Sequence, residues 1–188
     1  VKADRCWSEG KEEAYIMNEV LKASETRRSI REYSTKEVSR KDLDMILKAG
    51  TYAPSGMNRQ PVIFVAVTDK ETRDKLSEMN ARIMGTDSDP FYGAQTVIVV
   101  LADRTAPTYV YDGALAMGDL MLAAHSLGIG SCWIHRAKEE FDSPEGKELL
   151  EKWGIEGDYE GIGHCILGYA DSEEPADKPR KDGTVYHV

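Results

Sequence analysis

Three guanidinium groups and a hydroxyl fall within five residues at Arg27-Arg28-Ser29-Ile30-Arg31. Arginine's planar fork matches phosphate oxygens and the serine adds a neutral donor, so the cluster suits a phosphate-bearing ligand. The ordinary alternative for an Arg-Arg pair is a solvated basic turn. A second group, Ala53-Pro54-Ser55-Gly56-Met57-Asn58-Arg59-Gln60-Pro61, sets Ser, Asn and Gln side chains on a backbone constrained by Pro and Gly. Such a loop can hydrogen-bond the polar edge of a flat heterocycle, although the same residue types also favour plain turns. A third, Leu127-Gly128-Ile129-Gly130-Ser131-Cys132-Trp133-Ile134-His135, joins a predicted helix to a predicted strand. Its order reverses the strand-glycine-helix fingerprint of dinucleotide-binding folds, and Trp133 takes the place of the third glycine. The glycines therefore read as a helix stop and as a place where backbone can meet a ligand. The fourth group is Lys178-Pro179-Arg180-Lys181, for which a solvated charge run is the plain alternative.

Other familiar chemistries are missing from the pattern. His125, His135, His164 and His187, with Cys132 and Cys165, show no metal-ligand spacing, and there is no serine-nucleophile elbow or phosphate-binding Walker loop. Cys132 beside apolar Trp133 reads as a packed thiol rather than a nucleophile. Glu139-Glu140 and Glu173-Glu174 read as solvated faces. Arg136-Ala137-Lys138 is a small basic cluster, read as a surface turn in preference to a basic pocket. With no acid-base pair in view, the chemistry falls to a cofactor.

The formal net charge of −9 over 188 residues is unevenly spread. Residues 1–60 carry 12 Lys and Arg against 10 Asp and Glu, and the rest carry 12 against 23. An acidic chain of this kind repels nucleic acid and anionic membranes, so a local arginine cluster needs a local reason. Hydrophobic residues, 41% of the total, suffice for a core, and no apolar run approaches the roughly 18 residues of a membrane span. The expected organisation is one domain over 1–188, with 1–10 a flexible arm and 171–188 a polar tail. Three scattered cysteines fit a reducing, cytoplasmic setting.

These residues must be held by elements whose periodicity is visible. Amphipathic spacing predicts a helix over 11–23, and Ser39 with Asp42 caps a second that stops at Gly50. Val62–Val67 and 96–101 have the character of buried strands, with a helix over 69–80 and a loop over 81–93 between them. Residues 112–127 form a helix apolar on almost every side, which calls for a central position or a subunit interface. A short strand over 131–134 follows, then a helix opened by Ser143-Pro144-Glu145 and running to Trp153, and a last strand over 164–170. About five helices and four strands without a strict βαβ rhythm predict an α+β sandwich.

Taken in this order, the four clusters resemble the nitroreductase family of FMN-dependent oxidoreductases. Arg27 to Tyr33 and Ala53 to Pro61 carry the likeness most specifically. The resemblance implies a mostly antiparallel central sheet flanked by helices, an intertwined homodimer, and FMN bound at the subunit interface. It implies that Arg27, Arg28, Ser29 and Arg31 hold the phosphate, ribityl chain and pyrimidine edge. Pro54, Ser55, Gly56 and Asn58 would come from the partner subunit, and Arg180 and Lys181 would reach the phosphate from a tail extending toward that partner. Asn80, Ser131 and Trp133 would face the ring. Val62 stands where many members carry Trp, Gln95 where the family commonly has Pro, and residues 81–93 and 103–112 leave little room for substrate-covering insertions.

The resemblance further implies a ping-pong transfer of hydride from NADH or NADPH, through flavin N5, to a small-molecule acceptor such as a nitroaromatic or quinone. No side chain is then an obligatory acid, and Arg27 and Arg31 are the candidate electrostatic stabilisers. The alternatives are a specialised enzyme of the same fold, dehalogenase-like or flavin-fragmenting, and a non-catalytic flavin-binding redox module.

Overall fold

The structure, a computed structural model, describes residues 18–172 and 175–188. The arm expected over 1–10, the first part of the helix expected over 11–23, and Glu173-Glu174 lie outside the described residues. Four antiparallel strands form one sheet in the order β1 (Val62–Val67), β2 (Thr96–Asp103), β4 (Tyr159–Gly168), β3 (Gly130–Ile134). Side chains alternate along β2: Val97, Val99 and Leu101 enter one apolar layer, and Ile98, Val100 and Ala102 the other. A strand buried on both faces has no polar phase, which is why β2 is apolar throughout.

Helices fill both layers. On one face α3 (Lys70–Met84), α5 (Ala137–Asp142) and α6 (Pro144–Lys152) bring Leu76, Met79, Phe141 and Leu149 onto the sheet. On the other, α2 (Arg40–Thr51) and α4 (Tyr109–Ser126) bring Leu43, Ile46, Met117 and Leu120. Each such buried side chain contributes roughly 1.5–3 kcal/mol. The short α1 (Glu19–Thr26) contributes no buried residue. Asn18, Ser39, Asp69 and Ser143 cap α1, α2, α3 and α6, each side chain accepting a backbone N–H of the first turn.

Four expectations are corrected. Gly50 does not stop α2 but lies inside it, because a Cβ there would meet Leu120 at 2.7 Å and Phe64 at 2.9 Å. Helix α3 runs on through Met84 to a left-handed cap at Gly85, so the first four residues of the loop expected over 81–93 are helical. Helix α5 was not expected, being a six-residue turn lodged between β3 and α6. Strand β4 begins at Tyr159, five residues early, and its glycines mark close approaches: a Cβ on Gly163 would sit 2.2 Å from the Trp133 indole nitrogen. The apolar helix α4 is buried on one face only. Tyr111 and Leu115 stand exposed on the other, where a groove of about 600 Å³ is lined by Val20, Met45, Tyr52 and Leu122.

Candidate functional site

Two of the four clusters meet at the open edge of β3. Arg27 closes α1, and the chain then runs beside the start of β3, Ser29 bridging Ser131 and the Ile30 N–H donating to the Ser131 carbonyl at 3.0 Å. Tyr33 bridges Ala170 beyond β4, which locks the segment against the sheet. Within this junction Arg27 Nη1 and Ser131 Oγ are buried without a hydrogen-bond partner among the described residues. An unmet buried donor costs about 1–3 kcal/mol, so two in one place mark a spot shaped for something else.

Arg28 donates to the carbonyls of Glu25 and Arg27 and pairs with Asp177 at 2.5 Å, and Arg180 lies 3.6 Å from the same carboxylate. The tail cluster is thereby brought to the first cluster, with one aspartate between two arginines. Arg31 is exposed, its guanidinium 6.0 Å from the centre of the Tyr92 ring. Lys181 is exposed on the tail. Trp133, 36% exposed, lies two residues beyond Ser131 on the same side of the strand. Burial pushes the Cys165 thiol up to about 12, with Cys132 adding to the shift, so this sulfur stays a neutral packing group.

The remaining cluster lies elsewhere. Pro54, Ser55, Gly56 and Asn58 precede β1 at the opposite edge of the sheet. Gly56 N–H donates to buried Asp112 in the first turn of α4 at 3.0 Å, and Thr108 donates to the other oxygen at 2.9 Å. Gln60 N–H donates to Ser55 Oγ at 3.0 Å, and its side-chain amide donates to Asn58 at 3.0 Å. Met57, Asn58 and Gln60 all have positive φ, at 55°, 54° and 51°. Such conformations cost non-glycine residues of order 1 kcal/mol each or more, and they cluster where a loop must present a fixed shape. Helix α4 separates this loop from the Arg27–Ser131 junction, since its 18 residues span about 27 Å. One chain alone does not bring the two clusters to a common ligand.

Asn80 departs from expectation. It is fully buried, its amide donating to the His135 carbonyl at 2.8 Å and to Glu140, while its oxygen accepts from Arg136 Nε at 2.9 Å. It therefore offers no free group to a ring. Glu140 is not a solvated residue either: it is wholly buried, and His164 Nε2 lies 3.0 Å from both its oxygens. Nothing in the local pattern signals this pair, because a glutamate and a histidine 24 residues apart meet only after β4 folds back.

The nitroreductase family model matches residues 25–87 and 85–169. A protein of Archaeoglobus fulgidus, provisionally named an NADH dehydrogenase/NAD(P)H nitroreductase, is 37% identical over 163 residues, covering 84% of this chain and 89% of that protein. An FMN reductase [NAD(P)H] of Bacillus subtilis is 29% identical over 181 residues, covering 87% of this chain and 70% of its own. A crystal structure of a nitroreductase with bound FMN from Bacteroides fragilis superposes with a TM-score of 0.83 at 32% identity, covering 91% of this chain and 99% of that one.

Proposed function

The chain belongs to the nitroreductase family of NAD(P)H-dependent flavin oxidoreductases, and on that premise we propose that two copies build composite FMN sites that reduce small electrophiles such as nitroaromatics or quinones. The observation that carries this reading is the pair of buried, unpartnered donors, Arg27 Nη1 and Ser131 Oγ, at the edge of β3. The residues there fit FMN: Arg27, Arg28 and Arg180 suit its phosphate, with Lys181 in support. Ser29 and Ser131 suit hydroxyl and carbonyl oxygens, and the exposed face of Trp133 suits a flat ring. Pro54, Ser55, Gly56 and Asn58 would arrive from the second copy, because α4 holds them away within one chain. The exposed apolar side of α4, with the groove beside α1 and α2, supports that pairing.

Bound FMN would supply hydride acceptance at N5 from NADH or NADPH and onward delivery to the acceptor in a second half-reaction. The chain's part is positional. Arg31 would oppose the negative charge that gathers at the pyrimidine edge on reduction, with Arg27 engaged at the phosphate, and the partner's loop, Ser55 and Asn58 included, would exclude water. No side chain need act as an acid, since water can supply protons. The test is an absorbance spectrum of the purified protein before and after NADH under argon. Flavin bands that bleach, and return on adding para-nitrobenzamide, support the reading. A colourless protein that takes up no added FMN would sink it.

A further inference from the structure

Two arginines in this chain are partly buried and have no carboxylate partner among the described residues, Arg27 and Arg136. Arg28, Arg73 and Arg104, equally withdrawn from solvent, all have acidic partners. In a chain with 33 acidic residues against 24 basic ones, an unneutralised and sheltered cation is a selected feature. Arg27 belongs to the site already described. Arg136 lies beyond the other end of the same edge strand, five residues or roughly 16 Å past Ser131.

Arg136 is also held in place. Its backbone is left-handed, with φ 79° and ψ 4°, a conformation an arginine adopts only when its surroundings impose it. Its Nε–H donates to Asn80 Oδ1, Asn80 donates to Glu140, and Glu140 is hydrogen-bonded to His164 Nε2, the last three side chains being fully buried. This relay fixes the guanidinium through Nε and leaves the two Nη groups as an open fork, the geometry that takes an oxyanion through two hydrogen bonds.

We propose that Arg136 is a specificity residue that binds an oxyanion, carboxylate or phosphate, on the substrate stacked at the reacting end of the site. The proposal rests on the FMN reading above, in which the phosphate would sit at the Arg27, Arg28 and Arg180 end of β3, while Arg136 lies just beyond the strand's other end. The oxyanion comes either from the acceptor or from the additional phosphate that distinguishes NADPH from NADH.

The test uses FMN-loaded wild type and Arg136→Gly, which removes the fork while suiting a left-handed backbone, with Arg136→Lys as a second variant that keeps charge without the fork. In one arm the acceptors are para-nitrobenzoate and its neutral match para-nitrobenzamide. In the other the donors are NADPH and NADH with the neutral acceptor. The expected result is a fall of about tenfold or more, the range of a charged hydrogen-bonded pair, in the kcat/KM ratio of the anionic to the matched substrate in one arm, recovered in part by Arg136→Lys. The arm that responds names the source. For an acceptor carboxylate, calorimetry should show benzoate binding to the oxidised holoenzyme weakened to a similar degree in Arg136→Gly. Equal effects on anionic and neutral partners in both arms overturn the assignment of Arg136 alone. A wild-type protein that neither holds FMN nor oxidises NADH overturns the FMN reading and this inference together.

Discussion

The edge of β3 and the loop before β1 are both polar and both placed beside α4, yet they are built on opposite terms. At β3 the backbone is regular and hydrogen-bonded, while buried side-chain donors on Arg27 and Ser131 lack partners. In the loop Ser55 Oγ accepts the Gln60 backbone N–H and Asn58 accepts from the Gln60 amide, while the backbone is strained at Met57, Asn58 and Gln60. The first region is incomplete without a ligand. The second is complete in its bonding but shaped for a surface it does not touch within its own chain. On the proposed composite site, each of two chains would supply one region, and cofactor binding would then be coupled to assembly.

The largest expected effect comes from breaking that coupling. Leu115, exposed on α4, replaced by Glu should cost the dimer about 2–4 kcal/mol, as at an interface hot spot. Sedimentation velocity should show monomer, and the flavin colour should be lost with it. A monomer that keeps FMN would break the comparison outright. Next, Arg27→Ala should weaken FMN binding by about 1.5–3 kcal/mol with little change in thermal stability, because the atom removed has no protein partner. Fluorescence titration of apoprotein with FMN measures it.

Asp112→Ala addresses the other region. It removes one hydrogen bond from the loop and one from Thr108, and leaves the Gly56 N–H unmet, so stability should fall by about 1–3 kcal/mol in a melting curve, and FMN affinity should fall as the loop loosens. Asp177→Ala should have the smallest effect and the opposite sign. Its exposed carboxylate shares Arg28 and Arg180 with any incoming phosphate, so its removal should tighten FMN by less than about 1 kcal/mol, fading at high salt. Tightening that ignores salt would mean Asp177 acts through the fold of the tail.

Much of this molecule was legible residue by residue. The caps at Ser39 and Ser143-Pro144, the buried run of β2, the apolar character of α4 and the arginine clusters are local features, and local chemistry sets them. The misses have a shared cause. Gly50 reads as a stop until Leu120 and Phe64 are known to press on it, and Gly161 and Gly163 read as loop until α5 and Trp133 are known to lie against β4. Glu140 resembles its exposed neighbour Glu139, and only the return of β4 puts His164 against it.

By itself, then, the sequence determined most of the helices and strands, though not α5 or the start of β4, and which residue types carry the chemistry, because caps, periodicity and charge act over a few residues. Only the tertiary structure decided that Arg27 and Ser131 share one edge of the sheet while Pro54 to Asn58 sit at the other. Tertiary structure alone also placed Asn80 under Arg136 rather than in the open. Strand order and helix placement arise from burial summed over the whole chain, and no short stretch of residues encodes that sum.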